Sequence, residues 1–156
     1  NVLAIVNTVG TATNRATHRY LNQKKVPQLM ILSGASQWND PKAFPWTMMG
    51  MIAYDTEGSV YARHILQNKP DARIAVLRQN DDFGRDFLAP FKKVLEEAGG
   101  KAKVVAEASY DLTEPTIDSQ IINLSKSGAD VFFNITTGKA TSQSIRKIAE
   151  IGWKPD

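Results

Sequence analysis

Small neutral residues follow several of the apolar runs in this sequence, and they are the residues with the clearest potential chemistry. The set comprises Thr11, Gly34, Ser36, Phe83 and Thr136. Hydroxyl groups and unpaired backbone N–H groups at helix N-termini suit a carboxylate, and one aromatic ring suits covering an apolar group. The set therefore predicts a binding site without a reaction. Each residue alone could equally be a turn residue, so the prediction depends on their recurrence at successive strand ends.

Catalytic and metal-binding patterns are weak in comparison. His18 and His64 do not form an H-E-x-x-H motif, and the pattern favours surface or helix-packing roles for both. Asp81 and Asp82 could bind magnesium in a metal-dependent α/β enzyme, but an acidic cap on the following helix is the favoured interpretation. The chain has no cysteine, no P-loop and no G-x-G-x-x-G motif. We predict no enzyme, no cofactor and no catalytic or metal-binding residue.

Composition narrows the class of protein. The 156 residues are 42% hydrophobic and 22% charged, which is ordinary for a globular chain with a real core. The net charge of +3 comes from scattered residues without a basic patch, so nucleic acid is not an expected partner. The sequence contains neither a membrane-span pattern nor a signal peptide.

The stretch from Ala72 to Ala108 shows the organisation most clearly. The continuous apolar run Ile74 to Leu77 predicts a strand buried on both faces. Apolar residues three or four apart then predict a helix over 84–98, in which Pro90 predicts a kink or a break between Asp86 and Pro90. Because a strand over 102–108 follows, this is a βαβ unit of a parallel sheet, and the turn at 79–83 lies where α/β proteins meet ligands.

The whole chain shows six strand-like runs that alternate with five helices. The other predicted strands cover 2–6, 28–32, 47–51 and 131–135. The other predicted helices run from an N-cap at Thr13 to Gln23, from Asp55 or Thr56 to Asn68, from a first turn containing Pro115 to Gly128, and from Thr141 to Ile151. The aromatic segment 37–52 is predicted to be a covering loop.

Both ends of the sequence suggest a piece of a longer protein. It begins in an apolar strand and stops after a helix, which would leave sheet edges uncovered. We therefore expect self-association through exposed strands if this piece is studied alone.

Four segments carry a family resemblance: S-G-A-S-Q-W-N-D-P-K-A-F-P-W-T, I-A-V-L-R-Q-N-D-D-F-G-R-D, D-S-Q-I-I-N-L-S-K-S-G-A-D-V-F-F-N and E-I-G-W-K-P. In these the sequence resembles the substrate-binding proteins of ABC transporters, specifically the leucine/isoleucine/valine-binding family. The resemblance implies an α/β fold with parallel Rossmann-like sheets flanked by helices, forming parts of two lobes of a type I periplasmic binding protein. Residues 1–70 would belong to the N-terminal lobe and 71–156 to the C-terminal lobe.

The same resemblance implies a function. Such a protein is periplasmic, closes its lobes by a hinge on a small ligand, and delivers the ligand to an ABC permease in the membrane. The ligand-binding loops of the family correspond to Gly10-Thr11-Ala12 and to Gly34, Ala35 and Ser36. Phe83 stands where the family commonly has a covering tyrosine, and Thr136 where members often have an aromatic residue.

The ligand class implied is a small carboxylate, either a branched-chain amino acid or an aromatic or other organic acid. A ligand-sensing receptor domain of the same fold is the alternative.

Overall fold

The computed structural model describes residues 2–156. Its strands are β1 (Ile5–Val6), β2 (Gln28–Ile31), β3 (Thr47–Met49), β4 (Arg73–Gln79), β5 (Lys103–Tyr110) and β6 (Val131–Ile135). Its helices are α1 (Thr11–Gln23), α2 (Tyr54–Asn68), α3 (Asp82–Glu97), α4 (Asp118–Ser125) and α5 (Gly138–Glu150), with a short 3-10 helix at Ser36–Trp38. The alternation of six strands with five helices is confirmed.

The strands form two sheets in which every pair is parallel. One sheet has the order β1-β2-β3 and the other the order β5-β4-β6. In both sheets the strand ends place the following turns at one edge, which is where ligands are met in open α/β sheets. The parallel α/β fold class is confirmed.

The chain divides into two compact units within α2. The first ends at Glu57, and the second runs from Gly58 to Asp156. This division falls earlier in the chain than the lobe boundary expected between residues 70 and 71, which stays a prediction about the lobes of the whole protein.

The core of the second unit forms around β4. Ile74, Ala75, Val76 and Leu77 are fully buried, as the continuous apolar run predicts. Helix α4 adds Ile121 and Leu124 to this core. No described helix is long and apolar enough to cross a membrane.

Several local predictions are wrong, each for a physical reason. Strand β1 has only two residues, and Val2 and Leu3 are exposed instead of buried. Helix α1 begins at Thr11 with Gly10 as its N-cap, because Thr13 turns its hydroxyl back to the Val9 carbonyl within the helix. Helix α2 begins at Tyr54, before either cap predicted for it.

Both prolines in predicted helices behave differently from expectation. Pro115 precedes α4 instead of lying in its first turn, and its carbonyl accepts hydrogen bonds from Lys139 Nζ at 2.7 Å and Gln143 Nε2 at 3.0 Å. Helix α3 continues through Pro90 without interruption, so the predicted break is wrong, and the kink that was the other predicted outcome stays a prediction.

Gly58 lets α2 approach α3 at Pro90. A Cβ on Gly58 would lie 2.5 Å from the Phe87 carbonyl oxygen and 3.2 Å from Pro90 Cγ. Glycine costs about 1 kcal/mol relative to alanine inside a helix, so its presence here reflects this close contact rather than helix propensity.

Replacing Gly58 with alanine is expected to destabilise the protein, although alanine is the better helix former. The added methyl meets backbone atoms that cannot rotate away, and such overpacking typically costs about 1–3 kcal/mol. Thermal unfolding of Gly58→Ala would show a lower midpoint. Gly100→Ala is the control, since a Cβ there meets no atom within 4 Å; equal midpoints for the two variants would contradict the expectation.

Candidate functional site

The first unit gathers its predicted site residues around Ser33. The Ser33 hydroxyl lies 2.7 Å from the Thr11 hydroxyl and accepts a hydrogen bond from Trp38 Nε1 at 2.8 Å. Ser33 is fully buried and Thr11 is only 3% exposed. Ser33 therefore fixes the start of α1 beside the loop formed by Gly34, Ala35 and Ser36. Ser33 was not among the predicted site residues, because a serine at a strand end gives no sign of its burial.

The N-terminus of α1 has no side-chain cap. Its N-cap residue is Gly10, and no side chain accepts a hydrogen bond from the first turn there. The first backbone N–H groups of a helix have no partner inside the helix and carry a partial positive charge. This helix end is suited to an anion, and the Thr11 hydroxyl beside it is already engaged with Ser33.

The loop 34–36 combines a tightly packed start with an exposed end. A Cβ on Gly34 would lie 2.7 Å from Tyr54 Cδ1, and it would also overlap the Ile52 carbonyl, so only glycine fits. Ala35 is fully buried. Ser36 is exposed, and its hydroxyl makes no hydrogen bond within residues 2–156. Of the predicted hydroxyl groups in this unit, the one on Ser36 is available to a ligand.

Aromatic residues cover the same region, as predicted for the segment 37–52. Trp38 is buried, and the His18 ring contacts both Trp38 and Phe44 edge-on, with centroids 5.0 Å and 4.5 Å apart. The expectation that His18 is a helix-packing residue is confirmed, since it is buried between these rings. Burial lowers the pKa of His18 below its ordinary value, and Arg19 and Arg15 add to this effect.

This environment predicts a loss of stability in mild acid. The folded protein keeps His18 neutral, whereas the unfolded chain takes up a proton below the ordinary pKa of 6.5. The contribution of His18 to the free energy of unfolding is therefore complete above pH 6.5 and is lost as the pH falls below it. The midpoint of thermal unfolding should fall less steeply between pH 7.5 and 5 in His18→Phe than in the parent. The exposed His64 gives the control His64→Gln, and an unchanged slope in His18→Phe would refute the assignment.

The second unit presents Phe83 in the first turn of α3. Asp81 is the N-cap of this helix, and its Oδ1 accepts a hydrogen bond from the Gly84 N–H at 3.3 Å. Asp82 pairs with Arg85 at 2.5 Å. The predicted acidic cap is therefore confirmed. The half-buried Phe83 ring meets Phe87 edge-on, with centroids 6.1 Å apart.

Thr136 follows β6 and is half buried. Its hydroxyl donates to Asn134 Oδ1 at 2.9 Å and lies 2.9 Å from the Thr141 hydroxyl. Asn134 belongs to β6, and Thr141 to the first turn of α5. These hydrogen bonds fix the Thr136 side chain. A ligand that contacted its hydroxyl would do so in addition to Asn134 and Thr141.

A hydrogen-bond network around the buried Gln79 side chain joins the ends of β4 and β5 to the turn after β6. Gln79 Oε1 accepts hydrogen bonds from the Tyr110 hydroxyl at 3.0 Å and the Thr137 hydroxyl at 2.7 Å. The Thr137 N–H in turn donates to the Tyr110 hydroxyl at 3.0 Å. Gln79 Nε2 donates to Asp81 Oδ2 at 2.6 Å. The predicted site did not include Gln79, Tyr110 or Thr137, because their partners are far apart in sequence.

One cavity of the second unit lies at the carboxyl ends of its strands, and another lies away from them. A cavity of about 150 Å³ lies at the strand ends and is lined partly by Tyr110, Ile117 and Thr137. Another of about 590 Å³ lies between α3 and β5 and contains none of the predicted site residues. No group of histidine, aspartate or glutamate side chains in residues 2–156 is arranged to hold a metal ion.

Parallel sheets with turns at the carboxyl ends of their strands are typical of α/β proteins that meet ligands at that edge. A family model described as periplasmic binding protein matches residues 1–156. The chain belongs to the periplasmic binding protein family. This is a family of binding proteins rather than enzymes.

Solved structures share the fold at low sequence identity. A substrate-binding periplasmic protein from Ralstonia solanacearum is 22% identical with a TM-score of 0.87, over 99% of this chain and 43% of that one. An R. palustris ABC-transporter solute-binding protein in complex with 4-hydroxybenzoate is 21% identical with a TM-score of 0.82, over 97% and 40%. A branched-chain amino-acid ABC transporter protein from Thermus thermophilus with bound valine is 13% identical with a TM-score of 0.80, over 99% and 39%.

The chain therefore spans about 40% of the length of these structures. A comparison with curated protein sequences finds no significant match.

Proposed function

We propose that the whole protein is the periplasmic solute-binding component of an ABC importer and that it binds a small carboxylate. The observation that carries this proposal is the uncapped N-terminus of α1 beside the exposed Ser36 hydroxyl, both held in place by Ser33. A carboxylate needs such donors, and it can be bound there without a basic side chain.

The proposed site has two sets of residues. Thr11, Gly34, Ala35 and Ser36 receive the carboxylate end, and Thr11 and Ala35 act mainly through their backbones because their side chains are buried. Phe83 and Thr136 contact the apolar end of the ligand in the whole protein. A membrane permease of the ABC type then receives the ligand.

The ligand is a branched-chain amino acid or an aromatic or other organic acid. The complexes of similar proteins with 4-hydroxybenzoate and with valine support this range. The presence of Phe83 favours a ligand with an apolar group at the end opposite its carboxylate, because a phenyl ring covers apolar atoms and has no hydroxyl to donate.

Mass spectrometry of ligand released from the purified full-length protein tests the proposal. We expect a small carboxylic acid, which should disappear after the protein is unfolded and refolded in ligand-free buffer. Release of a sugar or another solute without a carboxylate would overturn the proposal.

Self-association of the isolated piece stays a prediction. The strands of the first unit carry the exposed apolar side chains Val6, Met30 and Met48, which supports it.

A further inference from the structure

Gln79 has a position that its sequence context does not reveal. It is the last residue of β4, is 6% exposed and uses both ends of its side-chain amide. The oxygen accepts from Tyr110 at the end of β5 and from Thr137 after β6, while the nitrogen donates to Asp81. A buried amide that is bonded through both its oxygen and its nitrogen fixes the groups around it, because leaving either atom unpaired in the interior is costly.

The two sides of this amide lead to the two turns of the proposed site. On one side, Asp81 caps α3 and so sets the position of Phe83 in its first turn. On the other side, Thr137 follows Thr136 directly and is bonded through both its hydroxyl and its N–H. Gln79 is thus hydrogen-bonded to Asp81 through its amide nitrogen and to Thr137 through its amide oxygen.

We propose that Gln79 is a positioning residue that couples these two turns, so that Phe83 and Thr136 are presented in one fixed arrangement. The consequence for affinity rests on the proposed function, in which both residues contact the ligand. The coupling itself is a property of the second unit and can be measured without a ligand.

Gln79→Glu tests the coupling with almost no change of shape. The new carboxylate still accepts from Tyr110 and Thr137, but its second oxygen faces Asp81 Oδ2, where the amide nitrogen stood at 2.6 Å. Two carboxylates so close must share a proton, which raises the apparent pKa of the pair. The other ionisable groups nearby are Arg78, which donates to the Gln79 carbonyl at 3.5 Å, Tyr110, and Asp111 across Asn80. In Gln79→Glu, the hydrogen bond between the new carboxyl group and Asp81 is therefore present in acid, where the pair holds a proton, and absent in base.

Hydrogen exchange of the unliganded full-length protein reads out this link. After correction for intrinsic rates, the amides of Gly84 and Thr137, which donate to Asp81 Oδ1 and to the Tyr110 hydroxyl, should both exchange at least about tenfold faster in Gln79→Glu than in the parent at pH 8, and equally at pH 5. The double variant Gln79→Glu/Asp81→Asn should restore protection at both pH values, because the asparagine amide donates to the new carboxylate and still caps α3.

Gln120→Glu is the matched control. Gln120 Nε2 also donates to a carboxylate, Glu114 Oε2 at 2.7 Å, but it lies outside the network. This variant should leave both turns protected. Loosening of only one turn in Gln79→Glu, no pH dependence, or no rescue by the double variant would overturn the coupling.

Titration with 4-hydroxybenzoate and valine then connects the coupling to binding. Gln79→Glu should lower the affinity for the acid that binds by about tenfold at pH 8 and hardly at pH 5. The double variant should have the affinity of the parent at both pH values. Unchanged affinity while both turns are loosened would overturn the role of Gln79 in binding. Failure of the parent to bind any carboxylate would instead overturn the proposed function, and the exchange result would still decide the coupling.

Discussion

Replacing Ser36 with alanine is expected to weaken carboxylate binding by about ten- to more than a hundredfold, since a hydrogen bond to a charged group contributes about 1.5–3 kcal/mol. Ser36 is exposed and its hydroxyl has no partner within residues 2–156, so the protein loses little stability with it. Calorimetric titration of the full-length Ser36→Ala protein measures the loss.

The control for this experiment is Ser142→Ala. Ser142 is also exposed but lies on α5, and it is not part of the proposed site. Its removal should leave affinity unchanged. If Ser36→Ala melts at a lower temperature yet binds with the affinity of the parent, Ser36 is a turn residue and not part of the site.

Replacing Phe83 with alanine is expected to produce the second large effect, a loss of affinity of about ten- to a hundredfold. Burying a phenylalanine side chain contributes about 1.5–3 kcal/mol, and a ligand covered by Phe83 loses that contact. The loss should be larger for 4-hydroxybenzoate than for valine, because two rings add a stacking or edge-to-face interaction. Titration of Phe83→Ala with both acids measures the difference.

Phe132→Ala separates this effect from a loss of packing. Phe132 is half buried like Phe83, but its ring packs on Trp153 in the core, with centroids 5.4 Å apart. It should lower the unfolding midpoint and leave affinity unchanged. Equal loss of affinity in both variants, or equal loss for both acids in Phe83→Ala, would argue against direct cover of the ligand by Phe83.

The elements with one dominant local signal were predictable from the sequence. The run Ile74 to Leu77 is apolar throughout, and burial of such a run on both faces leaves a parallel strand as the simplest solution. Helix α3 was expected from its apolar period, although its start moved to Asp82 because Asp81 caps it. That the helix is unbroken at Pro90 was not predictable, because helix propensity says nothing about the packing of α2 against that turn.

The candidate site was predictable only in part. Small residues at strand ends point to the correct edge of a sheet, but they do not tell which hydroxyl is buried. Thr11 and Ser36 look alike in the sequence, yet Thr11 is bonded to Ser33 in the interior while Ser36 is exposed.

The Gln79 network lay outside the reach of local patterns. The strand was expected to end near Leu77, which would have left Gln79 in a solvated turn; it continues to Gln79 and buries the side chain. The partners that make this burial tolerable, Tyr110 and Thr137, come from other strand ends. Only tertiary structure brings them together.

The central claim is that the protein binds a small solute through its carboxylate. Titration of the full-length protein with 4-hydroxybenzoate and valine, each beside its primary amide, tests it most directly. We expect at least one of the acids to bind, and its amide, which lacks the charge that the helix N-terminus favours, to bind at least about tenfold more weakly. Amides that bind as tightly as the acids, or binding of neither acid, would contradict the claim.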